Sequence, residues 1–165
     1  MIQRIQTIFL LIVAVCMISV VFSTIWEKVS IEDQEKASLT AISLIHYTID
    51  TQSEDPSYTV ISEKPTYYIA IAAILSALVA LYSIMQYKNR ITQLKLGFLN
   101  ILLIAATLGT SIYYMYEAER LLALDMQGTY KIGIFLPAIA LLANSMANRF
   151  IKRDEDLVRS VDRIR

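Results

Sequence analysis

Apolar residues along this chain fall into four long runs separated by polar stretches. Residues 7–26 read TIFLLIVAVCMISVVFSTIW and residues 67–87 read YYIAIAAILSALVALYSIMQY, both without a charge. Residues 96–116 (LGFLNILLIAATLGTSIYYMY) and 132–148 (IGIFLPAIALLANSMAN) complete the set, the last being the shortest. An α-helix rises about 1.5 Å per residue, so about 20 residues cross a hydrocarbon core of about 30 Å. The pattern predicts an all-α integral membrane protein, a four-helix transmembrane bundle in which residues 1–165 form a single membrane domain. The first run exceeds the roughly 7–15 apolar residues of a signal peptide. Cys16 follows Val15 rather than a small residue, so the run reads as a retained anchor and Cys16 as a packing residue.

Between the spans the pattern changes. The outer loop, 27–66, holds SLTAISLIHYTID and SYTVIS on either side of the turn-prone TQSEDP, which predicts a small β-hairpin near the membrane face. Connection 117–129 (EAERLLALDMQGT) reads as the third helix running on past the membrane, with Gly128 as its C-cap. In the tail, 149–165, Leu157, Val161 and Ile164 recur at helical spacing and Glu155 pairs with Arg159 at i, i+4. That predicts a C-terminal amphipathic helix continuing the fourth span.

Charge orients the bundle. The N-terminus, loop 88–95 and tail carry ten basic residues against four acidic ones, +6. The other side carries five against eleven, −6. Basic residues beside spans stay cytoplasmic, so both termini are expected in the cytoplasm. Trp26, Tyr67, Tyr68, Tyr113, Tyr114, Tyr116 and Tyr130 fall at the outer boundary, and Tyr82, Tyr87, Phe98 and Phe150 at the inner one, as interfacial belts do. Composition supports this placement: 56% hydrophobic and 18% charged residues, against about 45–50% and 25% in soluble chains. The zero net charge offers nucleic acid no general attraction.

The polar residues within the spans are few. Asn100 and Asn144 each lie five residues from a cytoplasmic cation, Lys95 and Arg149, and so at equal depth, about 7.5 Å in. This makes them a candidate interhelical pair, the alternative being bonds to nearby backbone or interfacial water. Small residues at Ala72, Ser76 and Ala80, at Ala105 and Gly109, and at Ala143 and Ala147 mark expected helix contacts, and Pro137 an expected kink. Arg149, Lys152, Arg153, Arg159 and Arg163 are candidate lipid-headgroup or partner contacts, or simply topology-setting charge. One His and one Cys fall short of a metal-ligand set, and His46 reads as a surface or partly packed residue. No Asp, Glu, Lys, Arg or His lies inside a span, which argues against ion-coupled transport.

The segments MIQRIQTIFLL, YKNRITQLKLGFLN, PAIALLAN and NRFIKRDEDLVRSVDRIR together resemble a Bacteroidota family of small four-span membrane proteins of unknown function, DUF4293. The resemblance implies an inner-membrane location in a Gram-negative envelope and assigns no catalytic residues. No nucleophile–base pair, metal cluster or cofactor cradle is legible, so neither enzymatic activity nor a cofactor is expected. The remaining reading is a non-catalytic accessory or structural subunit acting through helix packing and its cytoplasmic tail. Its expected partners are membrane lipids and a protein docked on the tail, with homo-oligomerisation open. A small oligomeric channel or transporter is the alternative.

Overall fold

The computed structural model describes residues 3–30, 35–50, 57–87, 89–120 and 128–162. Its helices are α1 (Gln3–Phe22), α2 (Tyr67–Met85), α3 (Arg90–Glu119) and α4 (Ile132–Asp162). All four are long and apolar enough to cross a membrane, consistent with a membrane protein. They pack as a ring in chain order, with α4 closing against α1.

The interior of the ring is rich in small and polar residues along α2, α3 and α4, whereas α1 fills it with Leu10, Val13, Met17 and Val20; the exterior is bulky and apolar. On α2, Ala73, Ser76, Ala77, Ala80 and Ser83 are buried, whereas Ile71, Leu75, Leu78 and Leu81 face outward. On α3 the buried stripe is Gln93, Gly97, Asn100, Ile104, Thr107 and Ser111, while Phe98, Leu99, Leu102 and Ile112 are exposed. Ala140, Ala143, Asn144 and Ala147 form the inner face of α4. In water this would forfeit the hydrophobic driving force. In lipid, close backbone approach and interhelical hydrogen bonds hold helices together. One expected stripe is corrected: Ala105 and Gly109 lie on the outer face of α3.

The all-α expectation is also overturned. Five strands form one antiparallel sheet: β1 (Trp26–Ser30), β2 (Glu35–Leu39), β3 (Ser43–Asp50), β4 (Ser57–Pro65) and β5 (Thr129–Tyr130), in the order β4-β3-β2-β1-β5. The hairpin β3–β4 falls where the alternating segments predicted one, with a bulge between His46 and Tyr47. Around it the rest of the 27–66 loop contributes two further strands. Trp26 starts β1 instead of ending a helix, because α1 stops at Phe22. The sheet turns one face to the bundle: Trp26, Leu39 and Leu44 form one row across β1–β3, and Lys28, Ala37 and His46 the next, all six buried.

Backbone bonds fasten the sheet to the helices. The Thr66 and Ala70 N–H groups at the start of α2 donate to Ile42 O (2.8 Å) and Ala41 O (3.2 Å). The N–H groups of Lys131 and Gly133 at the start of α4 donate to Ile25 O (3.0 Å) and Thr24 O (3.1 Å). Gly133 is required there, since a Cβ would lie 2.6 Å from Thr24 O. α3 ends with Arg120 as its C-cap, and the expected capping role of Gly128 concerns a segment outside the described residues. Gly128 itself is pressed against the Trp26 indole, which a Cβ would approach to 2.2 Å. Residues 121–127, where the third helix was expected to continue, lie outside the described residues. At the other end α4 runs through Pro137 and onward to Asp162, so the tail is one helix with the fourth span. The side chains of Arg159 and Val161, and all of Arg163 and Ile164, lie outside the described residues.

Candidate functional site

The Gln93–Ser111 stripe of α3 recurs at steps of four and three, so its polar groups stack along one seam facing α2 and α4. Ser76 Oγ donates to Asn100 Oδ1 at 2.6 Å, and Asn100 Nδ2 to Asn144 Oδ1 at 3.4 Å. Asn144 Nδ2 in turn donates to Gly97 O at 2.9 Å. Asn100 and Asn144 are both fully buried, and the equal depth read from Lys95 and Arg149 brings them side by side.

Nearer the chain termini, Gln93 Nε2 donates to Ser83 O at 2.8 Å. A Cβ on Gly97 would stand 1.8 Å from Asn148 Oδ1. The Asn148 amide is shut away from solvent and, among the described residues, has no hydrogen-bond partner on either atom, and Ser83 Oγ shares that condition. Above Asn100 the seam turns inward on itself. Fully buried Ile104 interrupts it, and the hydroxyls of Thr107 and Ser111 bond back to Leu103 O and Thr107 O of their own helix. The seam can therefore bind three helices together, but among the described residues it forms no continuous polar path through the bundle.

A second cluster closes the termini end. Arg90 Nη1 donates to Asp154 O at 2.7 Å and its Nη2 lies 3.6 Å from Asp154 Oδ2. Gln6 Nε2 donates to the same carboxylate oxygen at 3.2 Å. Phe9 and Phe150 stack beside them, centroids 5.6 Å apart. This knot joins α1, α3 and α4. Just before Asp154 on α4, Arg149, Lys152 and Arg153 are exposed, as are Leu157 and Val158 beyond it.

The sheet end carries the ion pairs. Lys28, 2% exposed at its side chain, meets Glu119 Oε1 at 3.0 Å, and the same oxygen accepts from Gly128 N–H at 3.3 Å. Glu27 is held by Lys131 at 2.9 Å and by Lys36 across the β1–β2 pair. The Lys131 and Lys36 hydrogen bonds hold the Glu27 carboxyl below its ordinary range, and Glu27 raises Lys36 in return. Lys64 pairs with Glu117, which raises the lysine. His46 Nε2 lies 3.0 Å from Glu35 Oε2. Among the described residues no three His, Cys, Asp or Glu side chains gather as a metal site.

Sequence reasoning missed Gln93, Gly97, the Arg90–Asp154–Gln6 knot and Lys28. For the first two the signal was present in the four-and-three spacing running through Asn100. A family model described as Domain of unknown function (DUF4293) matches residues 2–164. The chain belongs to the DUF4293 family. No curated protein matches it. For this DUF4293 member the seam, the knot and the sheet-end ion pairs are therefore read from their own geometry.

Proposed function

We propose that this DUF4293 protein is a non-catalytic, four-span inner-membrane protein of the Bacteroidota envelope with both termini cytoplasmic, working as an accessory or structural subunit. The observation that carries the reading is the course of α4. It leaves the apolar region as one helix and passes the Arg90–Asp154–Gln6 knot. It then presents Asp156, Leu157, Val158 and Ser160 to solvent. A rigid helix bearing exposed apolar residues suits capture by a partner groove. Arg149, Lys152 and Arg153 sit where anionic headgroups or an acidic partner would meet them. The seam supports the same reading, because the Gln93, Asn100 and Asn144 amides are spent on one another and on backbone. Membrane lipids and a protein bound at the tail are the partners.

Purification in mild detergent tests this. A stoichiometric partner protein that is lost when the chain is cut after Arg153 supports the subunit reading. A partner-free homo-oligomer that conducts ions in liposomes overturns it.

A further inference from the structure

The sheet-side ends of α3 and α4 are pinned to neighbouring points of one segment, at Lys28 and at Thr24 and Ile25. Lys28 draws Glu119, at the end of α3, onto β1. The Lys131 and Gly133 bonds draw the start of α4 to the turn between α1 and β1. A cleft of about 650 Å³ opens between them, within the roughly 300–1,000 Å³ of small-molecule sites. Ile112, Met115, Ile134 and Phe135 supply apolar walls, with Trp26 at the floor and Glu119 as its charged lining residue.

We infer that this cleft binds one glycerophospholipid with an ammonium headgroup, its acyl chain along the apolar walls and its headgroup at Glu119. The inference rests on the membrane reading above and adds a ligand to it. Three observations carry it. First, polarity is graded along the cleft: the walls are apolar where α3 passes Ile112 and Met115, and Glu119 lies seven residues further on, about 10 Å by the helical rise. A hydrocarbon leaflet is about 15 Å deep, so the gradient matches the upper part of a lipid. Second, the mouth opens on the apolar exterior, since Ile112, Tyr116 and Phe135 are 43%, 71% and 55% exposed. Third, the accessible partner of the Lys28–Glu119 ion pair is the carboxylate. The Glu119 side chain is 38% exposed while its counter-ion Lys28 is 2% exposed, so an approaching headgroup meets the carboxylate. Tyr116 and Tyr130 also line the cleft, and aromatic rings there suit an ammonium through cation–π attraction.

Trp26 is the sole tryptophan of the chain and is 2% exposed, so its fluorescence reports the cleft floor. The full chain, delipidated in dodecyl maltoside, is titrated with phosphatidylethanolamine brominated close to the glycerol end of one acyl chain. The expected result is saturable quenching at one lipid per protein, with brominated phosphatidylglycerol binding at least tenfold more weakly. Ile112→Phe and Ile134→Phe, which narrow the cleft at an exposed and a half-buried position, each weaken binding tenfold or more; Leu102→Phe on the outer face does not. Quenching that rises without saturation, ignores both cleft variants, or is equal for the two headgroups overturns the inference. Alkaline carbonate extraction separates this from a failure of the membrane reading. Release of the protein from membranes rejects that reading itself, whereas retention with unsaturable quenching rejects only the lipid site.

Discussion

Replacing Asn100 with Leu removes the polar centre of the seam while keeping the branching of the side chain. The side chain is fully buried, accepts from Ser76 Oγ at 2.6 Å and donates to Asn144 at 3.4 Å. Interhelical hydrogen bonds in membrane proteins average about 0.6 kcal/mol and reach about 1.7. Taking the upper value for the short bond and the mean for the long one puts the loss at about 2 kcal/mol, about 30-fold in the unfolding constant. Equilibrium unfolding in mixed micelles with dodecyl sulfate, followed by far-UV circular dichroism and Trp26 emission, reads this directly. Two variants provide the contrast. Leu102→Ala truncates a large side chain that is 67% exposed on the outer face and is expected to stay within about 0.5 kcal/mol of the parent. Asn148→Leu replaces an amide without a hydrogen-bond partner among the described residues and is expected to be neutral or stabilising. An Asn100→Leu protein as stable as the parent, or a Leu102→Ala protein that loses as much, would refute the inside-out packing.

Gly133→Ala sets a Cβ 2.6 Å from Thr24 O and 2.9 Å from its carbonyl carbon. The clashing atoms are backbone, so the expected cost is about 1–3 kcal/mol, whereas Gly109→Ala, with nothing within 4 Å, gains up to about 1 kcal/mol of helix propensity; thermal denaturation of the pair checks both signs. Lys28 is the buried partner of its ion pair and Glu119 the exposed one. Glu119→Ala should therefore destabilise more than Lys28→Met, by about 1–3 kcal/mol, because it strands a buried charge; the reverse order in the same melts contradicts the assignment. Glu27 titrates below its ordinary value of 4.5 in the folded protein. Its stabilisation is therefore present above that pH and is lost as pH falls through the depressed value, so Glu27→Gln should be less stable at neutral pH and show a shallower acid limb.

How much of this was readable beforehand depended on whether the cause was local. Span length and charge asymmetry are local, and the four helices begin or end within a few residues of the apolar runs wherever no tertiary contact intervenes. Asn100 and Asn144 could be matched by depth because a helix converts residue count into distance. The β3–β4 hairpin showed because its strands alternate and flank a turn. β1 did not: WEKVS buries Lys28 and leaves Val29 41% exposed, the inverse of a simple apolar code. The burial of Lys28 depends on Glu119, 91 residues away. Thr129–Tyr130, two residues long, carries no periodicity at all and becomes a strand only by pairing with Trp26 and Glu27. Trp26 itself looked like an interfacial anchor at the end of a span, and nothing nearby in sequence announces that Gly128 packs on its ring.

The central claim is a bundle that crosses a membrane with its sheet on one side and both termini on the other. Site-directed labelling with a membrane-impermeant maleimide in spheroplasts tests it most directly. With Cys16, the sole cysteine, replaced by Ser, single cysteines are placed at Ser62 on exposed β4 and at Arg153 on the exposed tail helix. The account predicts that Ser62→Cys labels in sealed spheroplasts and that Arg153→Cys labels only after permeabilisation. Labelling of both from the same side would contradict it.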